Sequence, residues 1–590
     1  MLGIPTRFPQ AILATACVGL VACGLAPAAG ASTGAAVSWT ATHTQALDLN
    51  GSLLGAAPAG EQLEISAVLP VRDRSEINAL IEKRTVLKAA QARALFSPTV
   101  ASVNSVEAYL RSEGFTKISV SGDRLLVTGY GTVAQAERAF HTSISTYRLD
   151  GRSIFANTSA AMVPGALAGK VTAVLGLSDV PMHLSSLHVA AVKATPQQSA
   201  GGITIPDELT LPQVEQIYDA NTMPAASDTA IALITGGPMT DEIAALRQEE
   251  QTNGYPEVPV NVIPDSPQAG DPNNPLTNSA EWFLDTQMST AMAHNVSALD
   301  LYTIGTFTDA EVARGINEFV TQDQAQDLSI SLGECDVIAF LDGAMIASDD
   351  ELALGSIQGQ SSFSSTGDNG YACPEVTSTG VPEGPPGVSW PGDGYYTVAA
   401  GGTTLYGTGT DTVDETSWVG GGGGVSEWEA APSWTMQANP FGQSWQYTNQ
   451  GGRAVPDVSA DADDLVSPVE IDMGDNDYEA VGGTSVSSPL SMGLWARIDN
   501  TSGNTFGLAS FNFYSVYNAT NPGTVSATPI DSTYYIPDPD PSSVTGFYDI
   551  TQGSNGGCVA TPGWDDCSGI GEIRAAPLAQ AIAKQVSGNS

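Results

Sequence analysis

Val481-Gly482-Gly483-Thr484-Ser485-Val486-Ser487-Ser488-Pro489 is the stretch from which the rest of the chain is read. Its two glycines permit a tight turn with Ser485 on the crest. Leu490, Met492, Leu494, Trp495 and Ile498 follow at spacings that predict a buried helix beginning near Ser485. Pro489 then falls in the first turn, where a missing N–H costs little. A serine so placed has an exposed Oγ. A backbone N–H and the positive end of the helix dipole lie beside it, ready to receive an oxyanion. An N-cap serine on a core helix leaves the same pattern, and the stretch alone does not separate the two.

Charge divides the chain. Residues 1–200 hold 15 Lys/Arg and 12 Asp/Glu, a net of +3, whereas residues 201–590 hold 6 and 52, a net of −46. At 590 residues two or more domains are expected, and this break suggests two parts with different tasks. The acidic part repels nucleic acid and anionic membranes, so neither is expected as a partner. Its self-repulsion relaxes in acid, which makes an acidic working environment plausible.

Met1 to Ala31 reads as an export signal: Arg7 in a basic n-region, an apolar run from Ala11 to Leu25, and Ala29-Gly30-Ala31 as a small-residue cleavage site. Within it Leu20-Val21-Ala22-Cys23 is similar to a bacterial lipoprotein box, which would leave a lipid on Cys23. The ordinary signal is the preferred reading. No later stretch is long and apolar enough to span a bilayer. Of the four cysteines beyond the leader, Cys558 and Cys567 are close enough for a small-loop disulfide, which leaves Cys335 with Cys373. Four cysteines allow three pairings, and each needs an oxidising compartment.

From about residue 32 the pattern is that of a compact α+β unit. Glu64–Val71 alternates like a strand, and Ser75–Glu82 and Ser105–Glu113 read as helices. Ile118–Ser121 with Arg124–Thr128 reads as a hairpin, and Val133–Phe140 as a helix. Residues 190–202 are small and polar, a linker that a protease can cut. Beyond it Ala230–Ile234, Leu328–Leu332 and Tyr396–Ala400 are short apolar runs separated by polar or helical stretches. They predict an α/β domain on a largely parallel sheet. Gly420–Gly424 marks a loop that is either mobile or closely approached.

A nucleophilic serine needs a base. His294 is the only histidine after the linker. Ser279–His294 reads as a helix on which Glu281 and Asp285 share one face, while His294 lies about half a revolution away. His294 is therefore read as structural. Two carboxylates on one helix face are commonly a solvated acidic stripe, but Trp282, Phe283 and Leu284 beside them predict burial. A buried pair that shares a proton can serve as base where histidine is missing. Asp368, in Ser365-Thr366-Gly367-Asp368-Asn369-Gly370, is a third candidate; alone, a surface Asx turn is its plainer reading.

Taken together these segments resemble the sedolisins, the serine-carboxyl peptidases. Gly483-Thr484-Ser485-x-x-x-Pro489 is similar to their serine signature, Glu281-x-x-x-Asp285 to their helical acid pair and Thr366-Gly367-Asp368 to their Ser-Gly-Asp segment. Ala399–Leu405, Arg453–Ser459 and Pro562–Asp565 follow in the family's order. Val127-Thr128-Gly129, Ala134–Phe140 and Val174–Asp179 resemble its prodomain. Ser331-Leu332-Gly333-Glu334-Cys335 looks most like the bacterial, pepstatin-insensitive branch.

Behind the signal peptide read over 1–31, the resemblance implies an activation prodomain over 32–200 ending in its linker. It implies a subtilisin-like α/β peptidase domain over 201–590. Ser485 would attack the scissile carbonyl, Glu281 would take its proton and Asp285 would orient Glu281. A protonated Asp368 would donate to the oxyanion, and Ser331, Leu332 and Gly333 would pair with substrate backbone. One Ca²⁺ is implied, held by the Asp549 and Asp565 carboxylates and the carbonyls of Ile550, Thr561 and Gly563. Thr561 stands where the family often has glycine, and the interval from Ser485 to Asp549 is longer than usual. The expected protein is a secreted, monomeric zymogen of an acid endopeptidase that cuts proteins or peptides, with its own prodomain as intramolecular inhibitor. A catalytically silent cell-surface binding protein and a carboxylate-pair glycosidase are the two rival readings.

Overall fold

Ala230–Gly236, buried at every position, is an inner strand of the principal sheet of this computed structural model. Strands buried on both faces are read in sequence as unbroken apolar runs, which is how this one was legible. The structure describes residues 38–49, 51–149, 151–184, 188–189, 208–274, 276–277, 279–373, 386–408, 411–436, 452–475, 477–520 and 546–588. The expected signal, Cys23, the linker at 190–202 and most of the long interval before Asp549 lie outside the described residues.

The sheet runs in the order 260–264, 298–304, 230–236, 327–330, 361–365, 397–408 and 411–417. Every neighbour is parallel until the last pair, which is antiparallel. Val458–Asp461 adds a further parallel pairing on Thr397–Thr408, with Ala400 opposite Val458. Helix Asp309–Gln322 packs on strands 230–236 and 298–304 and on helix Ala344–Gln358. Helix Thr484–Asn500 lies on strands 327–330, 361–365 and 397–408 and packs along helix Ala280–Ala293. Their crossing is close because Gly493 has no side chain: a Cβ there would stand 2.6 Å from Met292 Cβ and 2.8 Å from Ser289 O. Arg497, wholly buried, ties the two helices by donating from Nε to Met292 O at 2.6 Å.

The serine helix starts at Thr484, with Gly483 as N-cap at φ 113°. Pro489 is thus in the second turn, not the first, and its absent N–H leaves the Ser485 carbonyl without the usual intrahelical donor. The chain tolerates this because the turn is fixed from outside, as described below.

The N-terminal part has its own antiparallel sheet, ordered 116–120, 126–132, 62–68 and 173–175. Its core is separate and includes Ile65, Val106, Leu110, Val127 and Phe140. The expected helices are present as Arg74–Glu82, Val100–Ser112 and Val133–Ala139. A further helix, Ala89–Phe96, was not foreseen: its Ala-Ala-Gln-Ala-Arg-Ala sequence has little apolar contrast to set a period. Helices Arg74–Glu82 and Ala89–Phe96 pack on helix Ala344–Gln358 of the principal domain. Disulfides join Cys335 to Cys373 and Cys558 to Cys567. Among the described residues, no helix is long and apolar enough to cross a membrane.

Candidate active site

Glu281 is the second residue of helix Ala280–Ala293, and Asp285 follows one turn later on the same face. Both are fully buried, as the neighbouring Trp282, Phe283 and Leu284 predicted. Asp285 Oδ1 accepts a hydrogen bond from Ser331 Oγ at 2.7 Å. Ser331 stands between strands 327–330 and 332–335, so the C-terminal end of an inner strand orients the helix carboxyl. This bond was not legible in the sequence, where Ser331 was read only as backbone for substrate.

Burial drives the electrostatics of the pair. It pushes the Glu281 carboxyl well above the usual carboxylate range, and the charge of Asp285 adds to this; the Ser485 hydroxyl works the other way. Asp285 is likewise raised by burial, against the Ser331 hydroxyl. The pair therefore retains a proton where isolated carboxyls would have lost it. Neither Glu281 oxygen nor Ser485 Oγ closes a hydrogen bond of good geometry. We take their contact as a loose one, of the kind that tightens when substrate arrives.

Asp368 follows strand Ser361–Ser365 and reaches the serine turn. Its Oδ1 accepts from the Thr484 N–H at 2.7 Å and from Thr484 Oγ1 at 2.8 Å, while the Gly367 N–H donates to Thr484 Oγ1 at 3.1 Å. Thr484 therefore fixes the carboxyl to the residue before Ser485, and a proton on Asp368 would sit on Oδ2. Gly483 is obligatory on two counts. Its φ is left-handed, and a Cβ would lie 2.6 Å from Asp368 Oδ2. The plain Asx-turn reading of Asp368 is thus superseded.

The glycine run proves closely approached. A Cβ on Gly422 would stand 1.9 Å from Thr366 O, and one on Gly423 2.0 Å from Asp566 O. The Gly422 N–H donates to Gly367 O and the Gly370 N–H to Gly420 O, both at 2.8 Å, so this loop braces the segment that carries Asp368. The Cys335–Cys373 bond ties the same region to the end of strand Leu332–Cys335.

His294 takes no part. It caps the C-terminus of the acid helix at φ 63°, and its Nδ1 lies 3.0 Å from Glu215 Oε1. Ser485, expected to be exposed, is fully buried. Chain from the N-terminal part runs across this region. His183–Leu184 pairs antiparallel with Gly333–Leu332, and Pro181 bridges Thr308. His188–Val189 pairs antiparallel with Gly482–Val481, three residues before the serine.

Of the expected calcium ligands, Asp549 meets Gly563 and Asp565 meets Thr561. The Gly563 N–H donates to Asp549 Oδ2 at 2.8 Å and the Thr561 N–H to Asp565 Oδ2 at 2.6 Å, and both carboxyls are buried. The cluster of Cys335, Asp336 and Cys373 is not a rival metal site, because its two sulfurs are bonded to each other.

A buried serine at a helix N-terminus with carboxyls on either side, set on a parallel α/β sheet, is an arrangement that suits a serine-type peptidase. Residues 50–180 match the family model described as Pro-kumamolisin, activation domain. Sedolisin from Pseudomonas sp. (strain 101) is 31% identical over 612 aligned residues, covering 97% of this chain and 98% of that protein. Xanthomonalisin from Xanthomonas sp. (strain T-22) is 28% identical, covering 93% of this chain and 69% of that protein. The solved structure of Pseudomonas sedolisin, a serine-carboxyl proteinase complexed with two molecules of pseudo-iodotyrostatin, superposes with a TM-score of 0.53. The identity is 28%, over 65% of this chain and all of that one. The chain belongs to the sedolisin family, and its fold is the subtilisin-like one.

Proposed function

We propose that the chain is an exported precursor of an acid-active endopeptidase that matures by cutting itself. Residues 1–31 are its signal, 32–200 its prodomain and 201–590 its peptidase domain. Ser485 Oγ attacks the peptide carbonyl and gives its proton to Glu281, which later passes it to the leaving amine. Asp285, held by Ser331, orients Glu281 and shares the proton. Asp368 and the Ser485 N–H stabilise the oxyanion. An ionised Asp368 would repel the charge it is there to receive, which is why acid is required.

The observation that carries this reading is the double pairing of 183–184 with 332–333 and of 188–189 with 481–482. A peptide substrate makes strand pairings of this kind on both sides of a scissile bond. The prodomain thus enters as an inhibitor and leaves as the first substrate: the bond cut first lies between Leu184 and His188, and trimming through the 190–202 linker to the domain boundary follows. Mass and N-terminal sequence of the first product formed near pH 4 test this. A new N-terminus after residue 190, with none between 184 and 188, would overturn the placement.

The oxygen set at Asp549, Ile550, Thr561, Gly563 and Asp565 suits one Ca²⁺: two buried carboxylates meet at a backbone segment whose carbonyls supply further hard donors. Bound there, the ion would supply structural stability and no step of the reaction. Chelation by EGTA is expected to lower the melting temperature of the Ser485→Ala protein, and added Ca²⁺ to restore it. A melt unmoved by either would remove the ion from the proposal.

A further inference from the structure

The N-terminal part also reaches the principal domain far from the serine, through Arg74 at the start of helix Arg74–Glu82. Its guanidinium donates to Asp349 Oδ2 at 3.2 Å and Asp350 Oδ1 at 2.7 Å, and lies 5.9 Å from the Tyr396 ring centroid. The two carboxylate side chains are 7% and 5% exposed and the arginine 36%. More carboxyls stand behind them. Asp349 Oδ1 accepts from the Tyr395 N–H at 3.2 Å. Asp393 is fully buried with neither oxygen hydrogen-bonded, and Glu429, only half-buried, faces both Asp349 and Asp393. Asp336 joins the group, with Oδ2 accepting from Ser426 Oγ at 2.7 Å, and fully buried Glu351, itself faced by Asp123, adds a further carboxyl against Asp350. Arg453 also faces Asp393, but its guanidinium is already held by both oxygens of Asp457. Arg74 is thus the cation that the N-terminal part lends to this buried acidic group.

We infer that Arg74 is a removable counter-ion, which keeps the intact precursor folded at neutral pH and whose departure leaves a peptidase domain stable only in acid. Maturation is then one-way with respect to pH: the freed enzyme cannot return to neutral medium and persist. Only this last step rests on the prodomain being cut away; the counter-ion role does not.

The direction of the effect follows from the carboxyls. Burial pushes Asp350 up to about 6 and raises Asp349 as well, and in both Arg74 is the chief opposing influence. For Arg74 itself burial works against the charge, but Asp349 and Asp350 outweigh it and its pKa is raised. A carboxyl whose folded value is raised contributes stability that is whole below its unfolded value, near 4, and is lost as pH rises through the folded value. For Asp350 that window is about 4 to 6. Without Arg74 both folded values climb and the loss above the window grows. Asp393 and Glu429, raised by burial and by their acidic neighbours, move the same way.

The test compares full-length Ser485→Ala precursor, which cannot cut itself, with the same protein carrying Arg74→Gln. Breaking a buried ion pair from one side is costly only while the partner is charged. The melting temperature is expected to fall by about 5 °C or more at pH 7 and by about 1 °C or less at pH 4. Arg74→Lys should lie near the parent at pH 7. Asp349→Asn with Asp350→Asn, added to Arg74→Gln, should recover most of the loss. An Arg74→Gln protein that folds at pH 4 but not at pH 7 also supports the inference. Equal losses at the two pH values, failure to fold at both, or no recovery by the asparagines would overturn it. None of these readouts needs peptidase activity. For the final step, matured wild-type enzyme moved from pH 4 to pH 7 should lose its circular-dichroism signal while the Ser485→Ala precursor keeps it. A mature enzyme that stays folded would sink the one-way claim alone.

Discussion

A Ser485→Ala precursor incubated near pH 4 is expected to stay full length on a gel and to hydrolyse protein substrates about 10⁶-fold more slowly than the wild type. The magnitude follows from the chemistry. Without Oγ there is no acyl-enzyme, and the residual rate comes from binding and the oxyanion donors alone. The same variant separates the rival readings. A glycosidase working through Glu281 and Asp285 would be indifferent to it, and a silent binding protein would show no difference because the parent would not cut either. Size reduction of the alanine precursor at the wild-type rate would exclude Ser485 as nucleophile.

Glu281→Gln should lower the rate about 10²- to 10⁴-fold, since a glutamine cannot accept the serine proton. Its effect on stability should have the opposite sign. The folded value of Glu281 is raised, first by burial and then by Asp285. The stability tied to its proton is therefore complete below about 4.5 and lost as pH rises through the folded value. Glutamine is neutral throughout and escapes that loss. In the Ser485→Ala background, Glu281→Gln should match its parent in melting temperature near pH 4 and exceed it near pH 7. A variant that is less stable at both pH values would mean that Glu281 is a structural carboxyl and that its burial has no catalytic purpose. Loss of activity with gain of stability is what a group held for function, at the expense of the fold, is expected to give.

Much of this site was legible because its chemistry is written in local spacing. Four residues along a helix put Glu281 and Asp285 on one face, and the apolar neighbours announced that the face is buried. The inner strands were legible for the same reason: Ala230–Gly236 is apolar throughout because both of its sides are covered. What escaped depends on contacts between distant segments. Ser331 holding Asp285 spans 46 residues and Thr484 holding Asp368 spans 116, and no local period encodes either. Pro489 belongs in the second turn on either start: it is the fifth residue counted from Ser485 and the sixth from the observed start at Thr484. The pairing of His183–Leu184 and His188–Val189 across the serine joins distant segments and was invisible for that reason.

Five glycines in a row are commonly equated with slack. Gly420–Gly424 is the reverse: at Gly422 and Gly423 it is a wedge driven against neighbouring backbone, where even one methyl group has no room. Selection at such a loop acts on missing atoms, so a segment that looks poor in information is among the least free to drift. The close fit around the segment that carries Asp368 is obtained with emptiness rather than with bulk.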